Sequence, residues 1–231
     1  MFSATMAPDI RKLADDILRD PVVVMVDAQK PVTGIVHSVY PVAQARKAPL
    51  LTMLLRRDGM RSVLVFVKRK SDADQLARAI ARSGVRATSI HSDRRQEDRI
   101  AALEAFRRGE YPVLVATDVA ARGLDVEGIS HIVNFDVPFS SDDYIHRAGR
   151  TARAGAAGEV MTFVSPAEEE RLCAIEKTIG AALPRVVLPN FDHGTHAHVP
   201  LPVGTPARAG RSRRGHRRRR TSPTNGPVSR S

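Results

Sequence analysis

The chain has 231 residues, 42% of them hydrophobic, with one cysteine and no tryptophan; that length allows one domain with appendages, and the lone Cys173 excludes a disulfide scaffold and fits a reducing compartment. Its net charge of +11 is uneven, because residues 193–231 hold nine arginines and no acid, which puts +9 on the tail and only +2 on everything before it. The N-terminus lacks the basic region and apolar run of a signal peptide, and no run of about 18 apolar residues could span a bilayer, so the chain reads as soluble, cytoplasmic and free of membrane.

In chain order, Pro8 to Leu18 reads as a helix with Ile10, Leu13, Ile17 and Leu18 on one face, and Val22 to Val26 as a fully apolar strand. A strand at Ile35 to Val42 and a helix at Gln44 to Arg57 follow. Val63 to Val67 reads as a buried strand, after which Ser71, with Asp74 three residues on, caps a helix that ends near Gly84. Ala87 to Ile90 is the next strand. Gln96 to Arg108 forms a helix with Ile100, Leu103 and Phe106 on one face, stopped at Gly109. Val113 to Ala116, Ile129 to Phe135 and Glu159 to Val164 supply further strands, with a short helix at Ser140 to His146. Glu168 to Ile179 is apolar-periodic, and Cys173 is expected there as a small buried hydrophobe. Strand–helix alternation of this kind predicts a parallel, doubly wound sheet with ligands at the carboxyl ends of its strands.

Two segments carry the chemistry. Ala116-Thr-Asp-Val-Ala-Ala-Arg-Gly-Leu-Asp125 begins where a predicted strand ends, and His146-Arg-Ala-Gly-Arg-Thr-Ala-Arg-Ala-Gly155 sets arginines at fixed offsets beside glycines. Arg150 and Arg153, three apart, project to one side of a helical turn, and planar guanidinium donors suit the charge that develops on a transferring phosphoryl group. Gln96 and Arg99, at i and i+3 near a helix N-terminus, can face one phosphate. Absent from the sequence are a G-x-x-x-x-G-K-S/T loop to cradle phosphates and an Asp-Glu-Ala-Asp run to hold Mg²⁺. His193, His196 and His198 stand in a flexible Gly/Pro setting without cysteines, so no metal site is expected.

Together the two segments resemble motifs V and VI of the DEAD-box RNA helicases, and Ser3-Ala-Thr5 resembles motif III of that family. Val65-Phe-Val-Lys-Arg69 fits motif IV, with Phe66 expected in the core. His91-Ser-Asp-Arg-Arg-Gln-Glu-Asp-Arg99 resembles the segment that ends in Q-x-x-R. The likeness covers residues 1–192, with Ser92 and Ala152 standing where glycine is usual, and its end most resembles the bacterial RhlE-like branch. It implies a RecA-like α/β lobe in three parts: residues 1–30 as a remnant of a first lobe, 31–192 as the helicase C-terminal domain, and 193–231 as a disordered arginine-rich tail.

The roles the resemblance implies are specific. Arg150 and Arg153 become arginine fingers; Asp125 and Gly123 meet the nucleotide ribose; His146, Arg147, Asp118, Arg122, Ser3 and Thr5 couple the lobes; Gln96, Arg99 and Thr117 contact RNA phosphates. ATP with Mg²⁺ is then the cofactor only when a first lobe is present. The implied partner is RNA, single-stranded or in short duplexes, bound through its backbone, with ribosomal or mRNA-decay ribonucleoproteins as its setting. Without the first lobe's motifs this chain is expected to be inactive by itself, and a stand-alone RNA-binding module without ATPase activity is the alternative.

Overall fold

The computed structural model describes residues 8–19, 34–122, 126, 128–152 and 157–194. Ser3, Thr5, Gly123, Asp125, Arg153, the strand expected at Val22 to Val26, His196, His198 and the arginine tail lie outside the described residues. The chain divides into two units, residues 1–199 and 200–231, and all described residues belong to the first.

Six parallel strands form one sheet: β1 (Ile35–Pro41), β2 (Val63–Phe66), β3 (Ala87–Ile90), β4 (Val113–Ala116), β5 (His131–Asn134) and β6 (Gly158–Val164). Their order across the sheet is β1-β6-β5-β2-β4-β3. Two adjacent interior strands, Val63–Phe66 and Val113–Ala116, are buried throughout, as strands covered on both faces must be. Helix α1 (Pro8–Ile17) precedes the sheet, and Ile17 is exposed despite its place on the expected apolar face. Helices α2 (Lys47–Leu54) and α3 (Lys70–Arg82) share one apolar cluster, through Leu50, Leu54, Leu76 and Ile80. A second cluster takes in α4 (Gln96–Arg107), α5 (Asp118–Ala121), α6 (Ser141–Ala148) and α7 (Glu169–Ile179), through Phe106, Ala120, Tyr144 and Leu172. The sheet therefore has a packed layer on each face. No helix among the described residues is long and apolar enough to cross a membrane.

Several local expectations are corrected. Helix α3 starts at Lys70 with Arg69 as its N-cap and no side-chain cap, so Ser71 lies inside the helix, where its hydroxyl donates to Asp72. Asp74 is drawn instead toward β3 and the loop after it. In α4 the buried residues are Ala102, Ala105 and Phe106, while Ile100 is 52% exposed; small alanines let the helix lie close to the sheet and turn Ile100 outward. The helix expected from Gln44 opens as a 3-10 turn, Gln44–Arg46, before α2. Cys173 is half-buried.

Glu168, in the 3-10 turn before α7, joins three strand exits. Its Oε2 accepts from the Lys47 Nζ at 2.6 Å and from the Ser165 Oγ at 2.6 Å, and its Oε1 accepts from the Val137 backbone N–H at 3.2 Å. Lys47 is fully buried and also donates to the Phe135 carbonyl at 2.8 Å. A charge so placed survives because it is paired with Glu168 and lies 3.9 Å from a second carboxylate, Asp136. At the far margin of β1, Val39 bonds to Pro184 and Val186, and His193 bonds back to the Pro41 carbonyl at 2.9 Å.

Candidate functional site

All strand exits lie on one edge of the parallel sheet, and the motif residues gather there. The exit of β2 and the helices α5 and α6 enclose a cleft of about 540 Å³ lined by Phe66, Asp118, Arg122, His146, Arg147 and Arg150, among others. Helix α6 is aimed by its N-cap: the Ser140 Oγ accepts from the Asp143 N–H at 3.1 Å, with Asp142 and Asp143 in the first turn and His146 and Arg147 in the last, as the helix dipole favours.

Arg147 is only 3% exposed. Its Nε and Nη2 each reach an oxygen of Asp118 at 2.7 Å, and its Nη1 donates to the Asn134 Oδ1 at 2.9 Å and the Asp136 carbonyl at 3.0 Å. The guanidinium lies 4.8 Å from the centre of the buried Phe66 ring, which places Phe66 in the core as expected. Asn134 is in turn held by its amide to the Thr162 Oγ1 at 3.0 Å. Arg147 and Asp118, read from sequence as residues that couple across lobes, thus hold one another within this one.

Arg150 stands differently. Helix α6 ends at Ala148, with Gly149 as its C-cap, so Arg150 sits in the turn beyond it, its N–H bonded to the Arg147 carbonyl, and not on the helical turn expected. It is half-buried and lines the cleft with His146. Arg122 is largely exposed on the cleft rim, its Nη2 3.7 Å from Asp143. Thr151, next to Arg150, is buried, its hydroxyl donating to the Ile129 carbonyl at 2.6 Å. That hydroxyl abuts Gly158, where a Cβ would sit 2.3 Å from it, so only glycine admits this approach. Ala152, at the place where glycine is usual, has φ of 55°. This left-handed conformation is one that a residue with a Cβ adopts at a cost.

Further along the edge, Thr117 follows β4 and is buried as the N-cap of α5. Gln96 and Arg99 open α4, and the Arg99 Nη1 donates to the Gln96 Oε1 at 2.9 Å, so the two present one surface. The loop that leads to them is fixed by Asp74, which the sequence offered only as part of a helix cap. Asp74 accepts from the Ser89 Oγ, from the Arg94 Nη2 at 3.0 Å and pairs with the His91 Nε2 at 3.0 Å. Burial pushes the Asp74 carboxyl up, but the bonds from Ser89, Arg94 and His91 together outweigh it and bring the pKa down to about 2. Asn134 and Asp136 had no local signal, because their partners lie many residues away, and the local signal at Asp74 pointed to a cap that does not form. Among the described residues no group of three or more His, Cys, Asp and Glu side chains could hold a metal ion.

Residues 46–155 match the family described as the helicase conserved C-terminal domain. The solved C-terminal domain of the DEAD-box protein Dbp5 is 32% identical, with 67% of this chain and 91% of that domain covered and a TM-score of 0.63. The chain belongs to the DEAD-box RNA helicases. What it carries of them is the C-terminal domain. The helicase CshA of Bacillus subtilis is 42% identical over 204 residues, which are 88% of this chain and 41% of that protein. The chain therefore spans about two-fifths of the length of such relatives. Dbp5 of S. cerevisiae bound to RNA and ADP BeF3 superimposes with a TM-score of 0.74 at 31% identity, over 80% of this chain and 50% of that one.

Proposed function

We propose that this helicase domain serves as the second lobe of an ATP-dependent RNA-unwinding enzyme. On this reading ATP, with Mg²⁺ held outside the described residues, binds between this cleft and a first lobe, and RNA crosses the carboxyl edge. Arg150 and Arg153 supply guanidinium donors where charge develops on the γ-phosphate. Gly123 and Asp125 meet the ribose, Gln96, Arg99 and Thr117 meet RNA phosphates, and His146, Arg122, Ser3 and Thr5 sense the other lobe. Arg147 and Asp118 act indirectly, as the fixed wall from which Arg150 projects. The observation that carries the reading is the cleft at the carboxyl edge: Arg147, held by four internal hydrogen bonds, forms its wall, and the half-buried Arg150 lines it beside His146 from the turn after α6. The segment from Ile175 to Pro189 favours the RhlE-like branch, working in the cytoplasm on ribosomal or mRNA-decay ribonucleoproteins.

The test joins this chain to a first lobe that bears the phosphate-binding lysine. RNA-stimulated ATP turnover should appear in the fusion and be absent from the chain alone, and Arg150→Ala should lower it on the order of 10³-fold with little change in RNA affinity. Turnover in the variant within a factor of about two of the parent would reduce Arg150 to a packing residue.

A further inference from the structure

Phe139 stands out because nothing in the proposed reaction uses it. It follows β5 at the carboxyl edge and is 58% exposed. Two cations converge on its ring: the Lys68 Nζ lies 4.7 Å from the ring centre and the Arg171 guanidinium carbon 5.1 Å. Neither is ion-paired to a carboxylate side chain among the described residues; Lys68 is exposed, and Arg171 reaches only the Val137 carbonyl at 3.4 Å. The loop that presents the ring is pinned on both sides. Val137 is buried with its N–H on Glu168, and Ser140 caps α6. An exposed aromatic on a fixed loop is a preorganised surface, on which a base stacks once a long cationic side chain swings from the ring face to a phosphate.

The sheet order says what meets it. Across β5-β2-β4-β3, neighbouring exits carry Phe139, then Lys68, then Thr117, then the loop to Gln96 and Arg99. With strands about 4.8 Å apart, that line is about 15 Å long. We propose that Phe139, with Lys68 and Arg171, is a stacking platform for one base of the single-stranded RNA that crosses this edge, the two cations meeting the phosphates on either side of it. This rests on the reading above that RNA lies here, and adds a base contact to a surface otherwise made for the backbone. A stacked base is sequence-tolerant because every base has a π-face, so the platform increases grip without reading sequence.

The chain contains no tryptophan, so Phe139→Trp in the full chain creates a single local reporter. Oligouridine should quench its emission, and an abasic oligonucleotide of equal length should bind without quenching. Phe139→Ala should weaken oligouridine binding about tenfold and leave abasic binding unchanged. Lys68→Ala and Arg171→Ala should each lower the salt slope by about 0.7. A thermal melt equal to that of the parent shows that each variant folds, as expected for so exposed a ring. Emission unmoved by oligouridine, while Gln96→Ala/Arg99→Ala still weakens binding, overturns the platform and leaves the RNA face standing. Quenching that persists when the Gln96 and Arg99 substitutions have no effect supports the platform and overturns that face. Quenching by an acidic peptide but not by oligouridine overturns the proposal in favour of a protein partner.

Discussion

Replacing Arg147 with alanine should damage the fold before it damages any chemistry. The substitution strips two oxygens of Asp118, the Oδ1 of the fully buried Asn134 and the Asp136 carbonyl of their donor. It also removes the cation above Phe66. Breaking a buried ion pair from one side costs about 3–5 kcal/mol, and Asp118, 24% exposed to the cleft, regains water and holds the loss to about 3 kcal/mol. For a domain of this size each kcal/mol moves the melting temperature by about 2–4 °C, so a fall of roughly 6–12 °C is expected. Arg147→Lys should recover only part of this, since one ammonium cannot reproduce the two parallel bonds to Asp118. Thermal unfolding followed by circular dichroism reads the loss, and a double-mutant cycle with Asp118→Ala should give a coupling of about 2 kcal/mol. A drop of less than about 3 °C for Arg147→Ala would refute the structural assignment.

Ala152→Gly should raise stability by about 1 kcal/mol, because it relieves a left-handed alanine; a lower melting temperature for the variant would count against the observed φ of 55°. The carboxyl of Asp74 is depressed to about 2 from an ordinary value of about 3.9, so its contribution is full above about pH 4 and lost as pH falls through about 2. The stability advantage of the parent over Asp74→Asn should accordingly hold level above that range and shrink below it, and an advantage that grows toward pH 2 in denaturant titrations would contradict the network. Removing residues 195–231 spares His193 and should leave the melting temperature unchanged. The same deletion should lower the salt slope of RNA binding by roughly 0.7 for each phosphate that the tail neutralises; an unchanged slope would leave the arginines without a part in binding.

The strands were readable because parallel strands buried on both faces become unbroken apolar runs, as in Val63–Phe66 and Val113–Ala116. The strand order was not, since nothing in Ile35 to Pro41 says that its neighbour is Gly158 to Val164. In the site, the string from His146 to Gly155 located the cleft and set Arg147 apart from Arg150 by resemblance, but nothing local showed that the distant Asp118 and Asn134 hold Arg147. Lys47 and Glu168 were invisible for the same reason: a buried lysine looks like a surface one until the carboxylate 121 residues away is seen beside it. The Ser71 cap failed because Asp74 found better donors in Ser89, His91 and Arg94 than in its own helix.

The bonds at Glu168 have a mechanical meaning. They tie the helix after β1, the loop after β5 and the turn after β6 to a single carboxylate, so this half of the rim is stiff. Moving the loop at Phe139 against the sheet means breaking the bond from Val137 to Glu168, which Lys47 and Ser165 hold in place. On the reading proposed above, in which this lobe turns against another, that stiffness lies where the load would enter.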